Sequence, residues 1–157
     1  MLKKQWLLVW VLAVVALVGC RGRSPYNEEN KIRNLYSPDP TDINKEYKEW
    51  RSSFEEEAQL NRPDRRLYRR ANFSFPATTQ FRQTLGFQAV GSETSGKMFL
   101  TKQLRNGVVI QLTGTWEFTE ASQTLTFRYL DTELKQNVVA TFEVVTLVQD
   151  MLLLQAR

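Results

Sequence analysis

The sequence has no histidine and one cysteine, Cys20. Histidine is the commonest general base near neutral pH and the commonest metal ligand. Its absence excludes Ser-His-Asp triads, Cys-His pairs and Cys/His zinc sites together. A single cysteine cannot close an intramolecular disulfide. Charge of one sign is also scarce: 21 Lys and Arg stand against 17 Asp and Glu, a net charge of +4, too little for a nucleic-acid-binding surface. Asp/Glu pairs can act as acid and base, but Glu117 and Glu143 are expected on outward strand faces, with nothing grouping them in a cleft. The expectation is a protein that is not an enzyme, with no catalytic residue, cofactor, metal or nucleic-acid partner.

There is only one long hydrophobic run. Lys3 and Lys4 precede an almost unbroken apolar stretch from Gln5 to Val18, followed by Gly19 and Cys20. A positive start, a short apolar core and a small residue at the cut site form the layout of a secretory signal peptide. The run falls short of the ~20 residues a membrane-spanning helix needs. Leu17-Val18-Gly19-Cys20 resembles the lipobox of bacterial lipoproteins. That resemblance implies a signal peptide over 1–19, a diacylglycerol cysteine at Cys20 with further acylation such as palmitate, and a membrane anchor in the cell envelope. Several acyl chains, at ~0.8 kcal/mol per buried CH₂, anchor stably where one does not. Arg21 is not the aspartate associated with inner-membrane retention, which favours the outer membrane. Losing the two signal lysines leaves a net charge of about +2.

The rest of the chain divides into three stretches. Residues 20–41, broken by Pro25, Pro38 and Pro40, read as the lipidated N-terminus and a flexible stalk of on the order of 25 Å. Tyr26, Ile32, Leu35 and Tyr36 are its apolar side chains, suited to occasional contacts with the folded part. Residues 42–70 read as an amphipathic helix and an Arg-rich connector. Ile43, Tyr47, Trp50, Phe54 and Ala58 are spaced four, three, four and four apart, one helical face, with Thr41 or Asp42 as cap. Tyr47, Trp50 and Phe54 either pack on the β domain or form a partner face for another envelope protein; Glu55, Glu56 and Glu57 argue against lying on anionic lipid. Arg62, Arg65, Arg66, Arg69 and Arg70 are candidate anion-binding residues, for example toward an anionic glycolipid, because the guanidinium fork bonds phosphate or carboxylate bidentately. They suit equally a solvated connector paired with the glutamates.

Residues 71–157 read as an antiparallel β domain. Apolar and polar residues alternate over Ile110–Phe118, Leu125–Tyr129 and Ala140–Val144, the period of a half-buried strand. A slip near Val145-Thr146 suggests a bulge that brings Leu147 inward. Met151–Leu154 closes the chain, and Phe81–Ala89 and Lys97–Leu104 precede. Gly91–Gly96, Asn106-Gly107, Glu120–Gln123, Asp131–Asn137 and Gln149-Asp150 are the turns. The fold class is mainly β, an antiparallel up-and-down meander of about six strands, a small or partly open barrel.

Gly114-Thr115-Trp116-Glu117-Phe118, Leu125-Thr126-Phe127, Phe142-Glu143-Val144, Leu147 and Met151–Leu154 resemble the repeating hairpins of lipocalin-like domains in bacterial lipoproteins, over roughly Gly107–Gln155. The likeness implies either a carrier or sensor of a small hydrophobic ligand, or a binding or assembly module for another envelope component. Lipocalins place their Gly-x-Trp near the first of eight strands, whereas Trp116 lies mid-domain. Phe81, Phe87, Leu112, Trp116, Phe118, Phe127, Tyr129 and Phe142 are the candidate inward residues, lining a pocket or filling a core. In a domain this small, packing claims most large apolar side chains.

Overall fold

The computed structural model describes residues 31–38, 46–103 and 107–157. The signal segment, Cys20, Tyr26, Thr41, Asp42, Ile43, Leu104 and Asn106 lie outside the described residues. Eight strands close into an antiparallel barrel: β1 (Lys48–Ser53), β2 (Arg65–Arg70), β3 (Phe81–Ser92), β4 (Ser95–Gln103), β5 (Val109–Thr119), β6 (Thr124–Asp131), β7 (Gln136–Leu147) and β8 (Met151–Ala156). Among the described residues two short α-helices accompany them, α1 (Arg33–Tyr36) before the barrel and α2 (Phe54–Gln59) between β1 and β2, with one 3₁₀ turn at Glu120–Ser122. Among the described residues no helix is long and apolar enough to cross a membrane.

The expected six-strand meander is β3 to β8, each strand hydrogen-bonded to the next. Its inward positions form the core: Leu85, Phe87, Met98, Leu112, Trp116 and Leu125 are all nearly or wholly buried. The expected slip occurs between Val144 and Thr146, and Leu147 is buried beyond it. Gly91 and Gly107 take positive φ at the β3–β4 and β4–β5 turns, where a side chain would be strained. Gly114 serves a different need. A Cβ there would lie 2.2 Å from the Arg128 carbonyl oxygen, so β5 and β6 approach as closely as they do only with glycine.

The count rises from six strands to eight because the segment expected as helix and connector is a β hairpin interrupted by α2. The barrel therefore begins at Lys48, not at residue 71. In β1 the buried positions are Lys48, Trp50, Ser52 and Ser53, and inward Lys48 and Ser52 erase the apolar alternation that marks a strand. Helix starts only at Ser53, whose hydroxyl accepts the Glu56 amide at 3.2 Å. Glu55, Glu56 and Glu57 sit favourably in its first turn. The helical-looking stripe is dispersed. Trp50 is buried, Tyr47 packs on Phe99 with ring centroids 4.8 Å apart, and Phe54 is 46% exposed. Tyr47, Trp50 and Phe54 thus share no partner face. In β2, Arg66 and Tyr68 alternate with Arg65, Leu67 and Arg69, and Arg70 pairs directly with Trp50.

The barrel is not up-and-down throughout. β1 lies between β2 and β3, and β2 closes the ring on β8. The 71–80 connection therefore passes across β1. Ala71 N–H donates to Glu49 O at one end, and Phe54 N–H to Gln80 O at the other. Phe81 belongs to this outer layer, a correction to its expected inward position: it meets Phe75 edge-on at 4.9 Å and lies under the Arg51 guanidinium.

The expected stalk also ends early. Ile32 and Leu35 are buried in the core cluster, with Tyr36 packed against it. Burying a leucine fully contributes about 1.5–3 kcal/mol relative to exposure, enough to dock this short segment. Polar contacts orient it. Trp50 Nε1 donates to Leu35 O at 2.8 Å, and buried Lys48 Nζ donates to Asn34 O and Gln149 O, both at 2.7 Å. Tyr36 stacks on Trp116 at 6.0 Å. Lys31 reaches Gln123 and Arg33 reaches Glu93, tying α1 to the β5–β6 and β3–β4 turns. Residues 31–36 stopper this end of the barrel.

Candidate functional site

Away from the stopper the interior is not filled. A pocket of about 210 Å³ opens there. Leu85, Leu100, Phe127, Tyr129, Ala140 and Phe142 from β3, β4, β6 and β7 form its apolar wall. Tyr68 and Gln83 supply polar groups, with Gln83 Nε2 donating to the Tyr68 hydroxyl. Burial pushes that phenol well above its ordinary pKa, with nearby Glu57 adding to the effect, so it is neutral at any ordinary pH. Asp64, Arg66 and Arg82 stand at the mouth.

Arg66 and Arg82 also line a second concavity, an open groove of about 400 Å³ between α2 and the β2 and β3 ends. Arg62 and Arg65 complete its basic side, and Phe54, Ala58 and Pro63 its apolar side. Glu57 lies at the centre, its side chain 8% exposed. Its Oε2 accepts from Arg82 Nη1 at 2.7 Å, and its sealed Oε1 lies 3.8 Å from Arg66 Nε with no hydrogen bond among the described residues. Arg62 grips Asp64 through two nitrogens at 3.1 Å, which holds that carboxyl below its usual pKa. Arg65 Nε donates to Gln155, and Arg66 Nη1 to the Pro63 and Arg65 carbonyls. Four guanidinium groups thus meet two carboxylates.

The turn between β6 and β7 is pinned by Asp131. It accepts Lys102 Nζ at 2.8 Å and the Glu133 and Leu134 amides at 3.0 and 3.1 Å. Lys102 first, then the backbone amides, hold its carboxyl below the usual range, and the pair raises the lysine in return. Tyr129 on the pocket wall is raised chiefly by burial.

The expected inward residues divide between core and pocket. Phe87, Leu112, Trp116 and Phe118 are buried core, while Phe127, Tyr129 and Phe142 line the pocket. Of the five candidate arginines, Arg62, Arg65 and Arg66 converge on the groove. Arg69 instead binds Glu56 at 2.9 Å and covers Phe73, and Arg70 shares the side of Trp50. Leu85, expected inward on the Phe81–Ala89 strand, is on the pocket wall, whereas sequence reasoning missed Tyr68, Arg82, Gln83 and Leu100 as lining residues. An arginine and a glutamine in a strand otherwise reading Phe-x-x-x-Leu-x-Phe were the available signal for Arg82 and Gln83. Among the described residues no group of three or more carboxylate or thiol side chains is placed to hold a metal ion. Compared with protein-family models, curated proteins and solved structures, the chain has a match in none of the three.

Proposed function

We propose that this protein is a non-enzymatic cell-envelope lipoprotein, tethered through acylated Cys20, whose barrel carries or senses a small hydrophobic molecule. The pocket at one end of a closed barrel whose other end is stoppered carries this reading. An eight-stranded barrel is the size at which an interior either fills with side chains or holds one small ligand. At about 30 Å³ for each water-sized atom, 210 Å³ takes roughly seven heavy atoms, a short alkyl chain or a single ring. Residues 31–36 close the end opposite the mouth, so ligand exchange with the surroundings falls to the arginine-bearing end. Arg21 after the lipobox supports the outer membrane over the inner.

The assembly-module alternative draws on one observation. Leu130, Leu134 and Val139, around the β6–β7 hairpin, are all more than half exposed, an apolar surface suited to a partner protein. The two readings part on a titration with 1-octanol, monitored by displacement of an environment-sensitive dye. Saturable displacement lost in Leu85→Trp, which fills the pocket, supports the carrier. Absence of displacement, with the protein co-purifying stoichiometrically with an envelope protein, favours the module. Palmitate labelling lost in Cys20→Ala tests the tether; an unlabelled wild-type chain contradicts it.

A further inference from the structure

Two cavities share a wall. The apolar pocket inside the barrel and the basic groove outside it both count Arg66 and Arg82 among their linings. A ligand with its apolar part against Leu85, Phe127 and Phe142 therefore leaves the barrel past two guanidinium groups. The neighbouring concavity is the larger of the two and carries Arg62 and Arg65 as well.

We infer that the ligand is an amphiphile whose short alkyl chain fills the barrel pocket and whose carboxylate or phosphate head lies in the Arg62–Arg65–Arg66–Arg82 groove. The inference rests on the carrier reading and names the chemical class of its ligand.

Charge supports an anion there. Glu57 and Asp64 neutralise two of the four arginines, so the groove keeps a surplus of about two positive charges. Capacity supports it too. A guanidinium has five N–H donors. The bonds to Glu57, Gln155, Pro63 O and Arg65 O occupy Nη1 of Arg82, Nε of Arg65 and Nη1 of Arg66. Arg82 Nε and Nη2, Arg65 Nη1 and Nη2 and Arg66 Nη2 make no hydrogen bond among the described residues, donors enough for a bidentate acceptor. Glu57 acts as an anchor rather than a competitor. It is buried under the arginines and binds Arg82 from the α2 side, which restrains that guanidinium at the mouth before any ligand arrives. Phe54 and Pro63 alongside give the first carbons of a chain an apolar surface to leave by.

The test uses the full chain in lipid nanodiscs, with empty nanodiscs as the blank. Octanoate, octyl phosphate, 1-octanol and inorganic phosphate are each titrated against a dye bound in the barrel, and inorganic phosphate also by calorimetry. Both anionic amphiphiles are expected to bind about tenfold or more tighter than 1-octanol, the scale of a charge-assisted bidentate contact. Combined Arg66→Gln and Arg82→Gln should remove that margin, bringing octanoate and octyl phosphate to the affinity of 1-octanol measured on the same variant. Arg62→Glu, at a half-exposed position, should cut anion affinity severalfold more than 1-octanol affinity. Arg128→Gln, on the outer surface beside Glu117, should do neither. Equal binding of octanoate and 1-octanol would overturn the inference while leaving the carrier reading intact. Inorganic phosphate as tight as octyl phosphate would also overturn it, making the groove a free-anion site. Failure of every alkyl probe, 1-octanol included, would defeat the carrier reading itself.

Discussion

The β3–β8 meander and the β1–β2 hairpin build one barrel on opposite principles. Along the meander the inward positions are large and apolar, from Leu85 and Phe87 through Trp116 and Phe127 to Leu152 and Leu154. Along the hairpin they are mostly polar: Lys48 and Ser52 flank Trp50, and Arg66 and Tyr68 share the inner side of β2. The difference is one of task. Burial by the meander offsets chain entropy. The hairpin ties down the stopper at one end through Lys48 and Trp50 and gives the mouth its charge at the other through Arg66. A barrel wall need not be apolar on every strand if some strands line openings rather than core.

That contrast can be broken from the meander side first. Trp116→Ala removes a buried indole that stacks on Tyr36, meets Phe87 edge-on and donates to Gln88 O. It should cost about 3–5 kcal/mol, read by chemical denaturation, enough to threaten folding. Gly114→Ala forces β5 from β6 because of the clash with the Arg128 carbonyl, an expected loss of about 1–3 kcal/mol by the same assay.

The hairpin should behave differently. Lys48→Met severs the bonds to the Asn34 and Gln149 carbonyls while leaving the meander whole. Amide exchange should accelerate in residues 31–36 far more than in β5 or β6; a uniform loss of protection would show that the stopper is no separate unit. The smallest effect belongs to Ser52, buried with a hydroxyl that finds no partner among the described residues. Ser52→Ala should lie within about 0.5 kcal/mol of wild type or raise stability, since an unmade buried hydrogen bond contributes nothing to lose.

Acid sharpens the comparison at the mouth. Asp131 has a lowered folded-state pKa, so its stabilisation is complete above the unfolded carboxylate value of about 3.9 and fades as pH falls through the lower folded value. The melting-temperature gap between wild type and Asp131→Asn should be constant near neutrality and shrink below about pH 4. A gap that persists unchanged to pH 2 would assign the effect to packing rather than to the Lys102 pair.

The same division explains what the sequence made legible. Strict alternation over Ile110–Phe118 and Leu125–Tyr129 announces strands because every second residue faces a dry interior, and the Val145-Thr146 slip announces its bulge for the same reason. Lys48-Glu49-Trp50-Arg51-Ser52 offers one apolar residue in three inward positions. The four-three-four spacing of Ile43, Tyr47, Trp50 and Phe54 then imitated a helix that Ser53 in fact caps six residues before its end. Arg62, Arg65 and Arg66 were visible as a charge run. Arg82 was not, because the groove joins it to them across the β2–β3 connection, and Glu57, the carboxylate binding it, gave no sign of being buried. Ile32 and Leu35, two apolar residues in a proline-punctuated polar segment, looked too sparse to dock, yet a barrel end needs only one turn of chain to close it.

Entry of a ligand into the barrel at its arginine-rimmed end can be followed by mapping amide and side-chain NMR shifts of the full chain during titration with octyl phosphate. Saturable shifts are expected at Tyr68, Gln83, Leu85, Phe127 and Phe142, with Arg66 and Arg82 moving together with them and residues 31–36 unmoved. Shifts confined to Leu130, Leu134 and Val139 on the outer hairpin, or none at saturation, would contradict it.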